Sequence, residues 1–198
     1  MHLKTVALGM GVLGALSAGA WWPAGTLAQT GGLRAKATIA GEGLTGTATF
    51  REIDAHTKGL TDPSFGTGLK AVEIAIDVTG LKPGAHGIHI HAVGKCEPPG
   101  FTTAGGHFDP GPAGNMDPDM NHPYHMGDLP NLVADAKGHA TMTTITTRVT
   151  LGPGPLTLFD ADGSAIIIHA NPDQGVTGEA KSGLSGGPRL ACGVIEKQ

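Results

Sequence analysis

From Leu69 to Val78 the chain alternates with a period of two. Ala71, Glu73, Ala75 and Asp77 fall on one side, and Val72, Ile74, Ile76 and Val78 on the other. Successive side chains of a strand point to opposite faces, so the pattern predicts a half-buried strand with the four β-branched residues inward. Leu33–Ala40 and Thr45–Ile53 flank Gly41 and Gly43 and predict a hairpin. Gly87–Ala92, Thr141–Leu151 and Leu190–Glu196 read as further strands. Ala165–His169, apolar up to its histidine, reads as a central one. No segment carries a convincing helical period. Residues 93–130 have no period and are rich in Pro, Gly, Asp and His; a loop of that length in a compact domain is usually functional. Roughly eight short strands and one long loop predict an all-β, eight-stranded Greek-key β-barrel or sandwich.

Residues 1–28 break this pattern. Lys4 precedes an uncharged run of small and apolar residues, Thr5 to Ala20, and small-residue cleavage patterns end at Ala20 and at Ala28. This reads as a signal peptide over residues 1–28, leaving 29–198 as the folded domain. The apolar run of about 16 residues is short for a membrane span of roughly 20, so no stable membrane insertion is expected after cleavage. No cysteine stands here to carry a lipid. Export, periplasmic or extracellular, sets an oxidising context. There the two cysteines, Cys96 and Cys192, read as one disulfide; the rival is a thiolate metal ligand.

Composition narrows the field further. With 33 Gly and 14 Pro in 198 residues, and few strong helix formers in series, a helical bundle is disfavoured. The net charge of -4, without a basic stripe, argues against a nucleic-acid partner.

Seven of the ten histidines are not scattered. His86, His89 and His91 share one predicted strand, His107, His122 and His125 lie in the long loop, and His169 ends a strand. His89 and His91, two apart, project side by side about 7 Å apart at the backbone, a chelating geometry suited to copper or zinc. His86 has the opposite parity and reads as a structural hydrogen-bonding residue. His56 and His139 read as solvated surface residues. His122, His125 and Asp128 are spaced by three, so in a tight turn they share one side. Two imidazoles and a carboxylate suit zinc, and His107 can supply a fourth ligand; a solvated acidic loop is the alternative.

Four segments together resemble the copper/zinc superoxide dismutase family. Gly84-Ala85-His86-Gly87-Ile88-His89-Ile90-His91, followed by Gly94-Lys95-Cys96, is similar to its first signature. Ala104-Gly105-Gly106-His107-Phe108-Asp109-Pro110 is similar to its bridging-histidine segment. His125-Met126-Gly127-Asp128-Leu129-Pro130 resembles its zinc-loop exit, and Arg189-Leu190-Ala191-Cys192-Gly193-Val194-Ile195 its C-terminal signature. The resemblance runs in order from about residue 33 to the end.

The resemblance implies the barrel with long metal-binding and electrostatic loops. It implies copper held by His89, His91, His107 and His169, and zinc held by His107, His125 and Asp128, with His107 bridging. Asp173 would orient one histidine of each site, Arg189 would dock the anion, and Cys96 and Cys192 would form the family disulfide. The implied reaction is disproportionation of superoxide to dioxygen and hydrogen peroxide, with His107 releasing a proton to the peroxide. Because the net charge is negative, attraction of the anion falls to Arg189, with Lys181 and Lys95 as helpers.

Three departures stand out. The loop histidine expected about eight residues after His107 is replaced by Gly114-Asn115-Met116, leaving His122 to complete the zinc set, with Asp117 or Asp119 as substitutes. Lys95 stands where a small or acidic residue is commoner. Leu184-Ser185 replaces a Gly-Asn pair and is expected at the channel rim. Two alternatives follow: a non-catalytic copper-binding or copper-buffering domain, and a copper-only dismutase. A blue-copper carrier would need a thiolate ligand. Both a monomer and a homodimer are compatible with the sequence.

Overall fold

Alternation in the chain becomes a curled antiparallel sheet. The structure, a computed structural model, describes residues 32–56, 59, 68–111 and 117–198; the segment read as a signal peptide, and Gly114-Asn115-Met116, lie outside them. Ten strands follow in chain order: β1 (Arg34–Gly41), β2 (Leu44–Asp54), β3 (Lys70–Thr79), β4 (Gly84–His86), β5 (Ile88–His91), β6 (Leu132–Ala134), β7 (His139–Thr146), β8 (Ala165–His169), β9 (Arg189–Val194) and β10 (Glu196–Lys197). Eight of them form one sheet in the order β5-β8-β9-β1-β2-β3-β7, with β10 also paired to β1; β4 and β6 form a separate ladder. β4 and β5 are one extended run broken only at Gly87, and β6 turns into β7 through Asp135 and Gly138. The order therefore leads from β7 through β6 and β4 back to β5, and the sheet curls on itself.

The inward face of β3 is the one the alternation predicts: Val72, Ile74, Ile76 and Val78 are all buried. They join Ala37, Ile39, Ala48, Phe50, Ile88, Ile90, Ile166 and Ile168 in a single core cluster. Each fully buried large aliphatic contributes about 1.5–3 kcal/mol. Every residue of β8 is buried, as its unbroken apolar run predicts.

One expectation needs correction, and one strand was not expected. The strand expected over Thr141–Leu151 stops at Thr146, and Val149 and Leu151 reach the core from a turn that follows. Glu52 organises that turn, its Oε2 accepting from the amides of Leu151 (3.1 Å) and Gly152 (3.0 Å). β6 was hidden because three residues carry too little alternation to read.

Parity along β5 sorts its side chains. Ile88 and Ile90 enter the core cluster, so His89 and His91 project to the opposite face. The long loop covers that face by pairing with the free edge of β5. Ile90 N donates to Gly127 O at 2.9 Å, and Phe108 N to Ile90 O at 2.8 Å. Isolated bridges join His89 to Asp128 and His91 to His107. Gly127 permits this approach: a Cβ there would lie 2.2 Å from Ile90 O.

Candidate metal centre

Six imidazoles converge beneath the long loop. His89, His91, His107, His122, His125 and His169 are all essentially buried. Each ring has one nitrogen buried with no hydrogen-bond partner: Nδ1 of His89, and Nε2 of His91, His107, His125 and His169. His122 Nδ1 makes no hydrogen bond but faces Asp128 Oδ2 at 3.2 Å. A buried polar nitrogen left unpaired is costly, and nitrogens of His89, His91, His107 and His169 that lie close together suit a shared electrophile.

The other nitrogen of five rings is held in place. His89 Nε2 pairs with Asp173 Oδ2 at 2.8 Å, and His122 Nε2 with Asp173 Oδ1 at 2.7 Å. His91 Nδ1 donates to Gly105 O at 3.0 Å, and His169 Nδ1 to Gly187 O at 2.9 Å. His107 Nδ1 meets Asp128 Oδ1 at 2.7 Å. Partners of this kind fix ring orientation and tautomer. Asp173 spans the two halves of the centre, and Asn131 grips its backbone from both sides: Nδ2 donates to Asp173 O, and Oδ1 accepts from Asp173 N.

Ligand atoms of His89, His91, His107 and His169 lie within 4.8 Å of one another, and so do those of His89, His107, His122 and Asp128. His89 belongs to both groups by distance. Its Nε2 is committed to Asp173, however, so only Nδ1 is available. His125 adds Nδ1 at 3.2 Å from Asp128 Oδ2, the carboxylate that His122 Nδ1 also faces. Nδ1 atoms of three histidines thus surround one carboxylate.

Titration follows this geometry. Burial, with the neighbouring His89 charge, lowers His107 to about 3. The same two causes lower His169 to about 3. Burial also lowers His89 and His91. For His122 burial opposes the charge, but the Asp128 and Asp173 carboxylates beside its two ring nitrogens prevail and raise it to about 9. Burial raises Asp128 and Asp173, yet their histidine partners overcome it and hold both carboxyls well below the ordinary range. The centre therefore sets neutral imidazoles at His89, His91, His107 and His169, and a charged His122, around two carboxylates, a donor set that suits copper and zinc.

Arg189, at the start of β9, donates through one guanidinium nitrogen to Phe101 O (2.7 Å) and through the other to Gly105 O (2.6 Å). Gly105 O is the same carbonyl that orients His91. Partial burial lowers the guanidinium from its usual value, but it stays charged at neutral pH. Cys96 and Cys192 form a disulfide with Cα atoms 5.6 Å apart, which answers the thiolate rival. It ties the segment carrying Phe101 and Gly105 to β9.

His86 is structural, with Nδ1 at 2.8 Å from His169 O and Nε2 at 2.9 Å from Lys82 O. His139 lies on the surface, half-exposed and paired with Asp77. Asp119, a possible substitute for His122, is engaged elsewhere: it accepts from the amides of Gly183 and Ser185 and from Ser185 Oγ. Ser185 is accordingly buried, not at the rim. Sequence reading missed Asn131 and the role of Asp119, whose partners lie 42 and more than 60 residues away with no local signal.

Comparison with known proteins agrees with this centre. Residues 44–195 match the family described as copper/zinc superoxide dismutase (SODC). A superoxide dismutase [Cu-Zn] of Caulobacter vibrioides is 39% identical over 148 residues, covering 72% of this chain and 79% of its own. Superoxide dismutase [Cu-Zn] 1 of Salmonella typhimurium is 36% identical over 153 residues, 68% of this chain and 82% of its own. Among solved structures, a SOD-like protein from Bacillus subtilis superposes with a TM-score of 0.60 at 28% identity, covering 80% of this chain and 95% of that one. The clock protein EA4 gives 0.59 at 28% identity, over 83% and 94%.

Proposed function

Because this chain belongs to the copper/zinc superoxide dismutase family, we propose that its two buried clusters are the family's two metal sites. The protein is an oxidoreductase that converts two superoxide anions and two protons to one dioxygen and one hydrogen peroxide, with copper and zinc as cofactors. Copper would be held by His89, His91, His107 and His169, and zinc by His107, His122, His125 and Asp128. The carrying observation is that every one of these rings is buried, and that each copper-side ring has one unpartnered nitrogen and one committed nitrogen.

Bound copper supplies one-electron redox chemistry and bound zinc a fixed positive charge. The chain's own groups do the rest. Arg189, held by Phe101 O and Gly105 O, attracts and orients the anion. His107 Nε2, whenever it is not bound to copper, would hold the proton that the product peroxide requires, with Asp128 beside Nδ1 keeping the ring in place. Lys181 and Lys95 add positive charge on the approach.

Export to an oxidising compartment is the setting we assign, with residues 1–28 as the signal and a periplasmic or extracellular destination. The disulfide supports it, and so do the bacterial relatives. No helix among the described residues is long and apolar enough to cross a membrane.

Superoxide decay, followed by pulse radiolysis with the copper- and zinc-loaded protein, tests the reading. Decay is expected to be first order in protein and to revert to the spontaneous rate when copper is removed. Copper retained without acceleration would leave a copper-storing domain instead. His122→Ala is expected to weaken zinc retention by roughly 10–100-fold while copper stays bound; unchanged zinc content would remove His122 from the ligand set.

A further inference from the structure

Asp119 lies outside both histidine clusters, yet it is a buried carboxylate with a full set of donors. Its Oδ2 accepts from Gly183 N at 2.7 Å, and its Oδ1 from Ser185 N at 2.9 Å and Ser185 Oγ at 2.8 Å. Its carbonyl accepts from Gly178 N at 2.8 Å. Three residues on, the carbonyl of His122 accepts from Thr177 Oγ1 at 2.6 Å. The segment before His122 is thus stitched to the segment 177–185 from the far end of the chain.

That second segment leads directly to the copper side. After Ser185 come Gly186 and Gly187, and Gly187 O receives His169 Nδ1. The run is fixed from below as well: Gln174 N donates to Leu184 O, Asn171 N to Gly186 O and Ala170 N to Pro188 O. Space is short, since a Cβ at Gly186 would meet His169 Cβ at 2.7 Å. A shift at Ser185 is therefore passed to the carbonyl that orients His169. Leu184-Ser185 is also the place where the sequence leaves the pattern it resembles, and the seryl hydroxyl is the group that completes the contact with Asp119.

We infer that Asp119 is a positioning residue. Acting through Ser185, it ties the zinc-side loop to the segment whose Gly187 carbonyl sets the orientation of His169. This gives the two halves of the centre a second link, separate from Asp173. Asp173 touches the rings themselves, whereas Asp119 touches amides and a hydroxyl of the segment that leads to Gly187 O, the carbonyl on His169.

The inference rests on reading His169 as a copper ligand, and the test separates the two. Asp119→Asn keeps the shape and removes the charge that three donors share. In the metal-free protein, trypsin cleavage after Lys181, an exposed residue of the tied segment, is expected to quicken by about tenfold as local opening becomes easier. In the copper- and zinc-loaded protein, the Cu(II) paramagnetic resonance spectrum is expected to change its hyperfine splitting. Azide affinity, read from the same spectra, is expected to fall by roughly three- to tenfold. Ser185→Ala, which keeps the amide bond and loses the hydroxyl, is expected to move both readouts the same way by less, and Ser185→Thr to restore them. If Asp119→Asn does not fold, the Ser185 pair carries the test. Faster cleavage with an unaltered copper spectrum and azide affinity overturns the positioning role, because a merely structural clasp would do just that. Unaltered cleavage overturns the tie itself. A wild-type copper spectrum lacking nitrogen coordination would instead overturn the ligand reading and leave the cleavage result standing.

Discussion

Arg189 shows how one side chain can be tuned by where it is tethered. Its two guanidinium nitrogens are spent on the carbonyls of Phe101 and Gly105, which locks the fork; in the proposed function its charge acts on the incoming anion. Arg189→Ala is expected to lower the disproportionation rate by roughly ten- to a hundredfold, to flatten its dependence on ionic strength, and to keep copper in place; metal analysis beside a salt titration checks both. The buried rings predict a pH profile for the metal-free protein. His107 and His169 lie at about 3 when folded against about 6.5 unfolded. Each therefore adds stability that is complete above pH 6.5 and is lost as pH falls toward 3. His122, raised to about 9, acts in the opposite sense: its contribution is complete below 6.5 and is lost as pH rises through 9. Thermal unfolding of the metal-free protein should peak near neutrality and fall more steeply on the acid side, where several histidines and the two depressed carboxyls act together. A flat profile between pH 4 and 7 would contradict this charge arrangement. At this scale the sequence was informative where spacing is local. His89 and His91 two apart, and His122, His125 and Asp128 three apart, announced their chemistry. Asp119 and Asn131 did not, because nothing in a polar residue's neighbours tells it from a solvated one.

Strand β5 is the element on which the centre is built. One edge pairs with β8 in register, His89 opposite Ile167 and His91 opposite Ala165, and the other receives the long loop through Ile90 and Gly127. Gly127→Ala would drive a methyl against the Ile90 carbonyl. It is expected to cost about 1–3 kcal/mol and to weaken metal retention; calorimetry of the metal-free and loaded forms checks the two effects separately. The long strands were legible because one face of each is buried, so the period of two survives in β3 and the unbroken apolar run in β8. β4 and β6 were not, being three residues each. The far end of the Thr141–Leu151 segment read as strand because Val149 and Leu151 are buried there by a turn held to Glu52 rather than by a ladder.

Across the whole molecule the disulfide links residues 96 positions apart. In the chain-entropy model a loop of that size stabilises the fold by about 4–5 kcal/mol. Reduction, or Cys96→Ser with Cys192→Ser, is expected to lower the urea unfolding midpoint accordingly. It should also lower the rate per bound copper, because the carbonyls gripping Arg189 sit in the segment the bridge holds against β9. An unmoved midpoint would show that the bridge only decorates a fold secured by its core.

The sheet order has one more consequence. β9, contributed by residues 189–194, is inserted between β8 and β1, so a segment far along the chain from β1 occupies the middle of the sheet. Until it arrives, β1 lacks a neighbour on that side, and β8 has only β5 to pair with. Assembly is therefore a closing event rather than a progressive one, dominated by contacts distant in sequence and slow for that reason. A growing chain can display His89 and His91 as a loose pair, but Arg189 and Cys192 reach their places beside the histidines only once β9 is in the sheet.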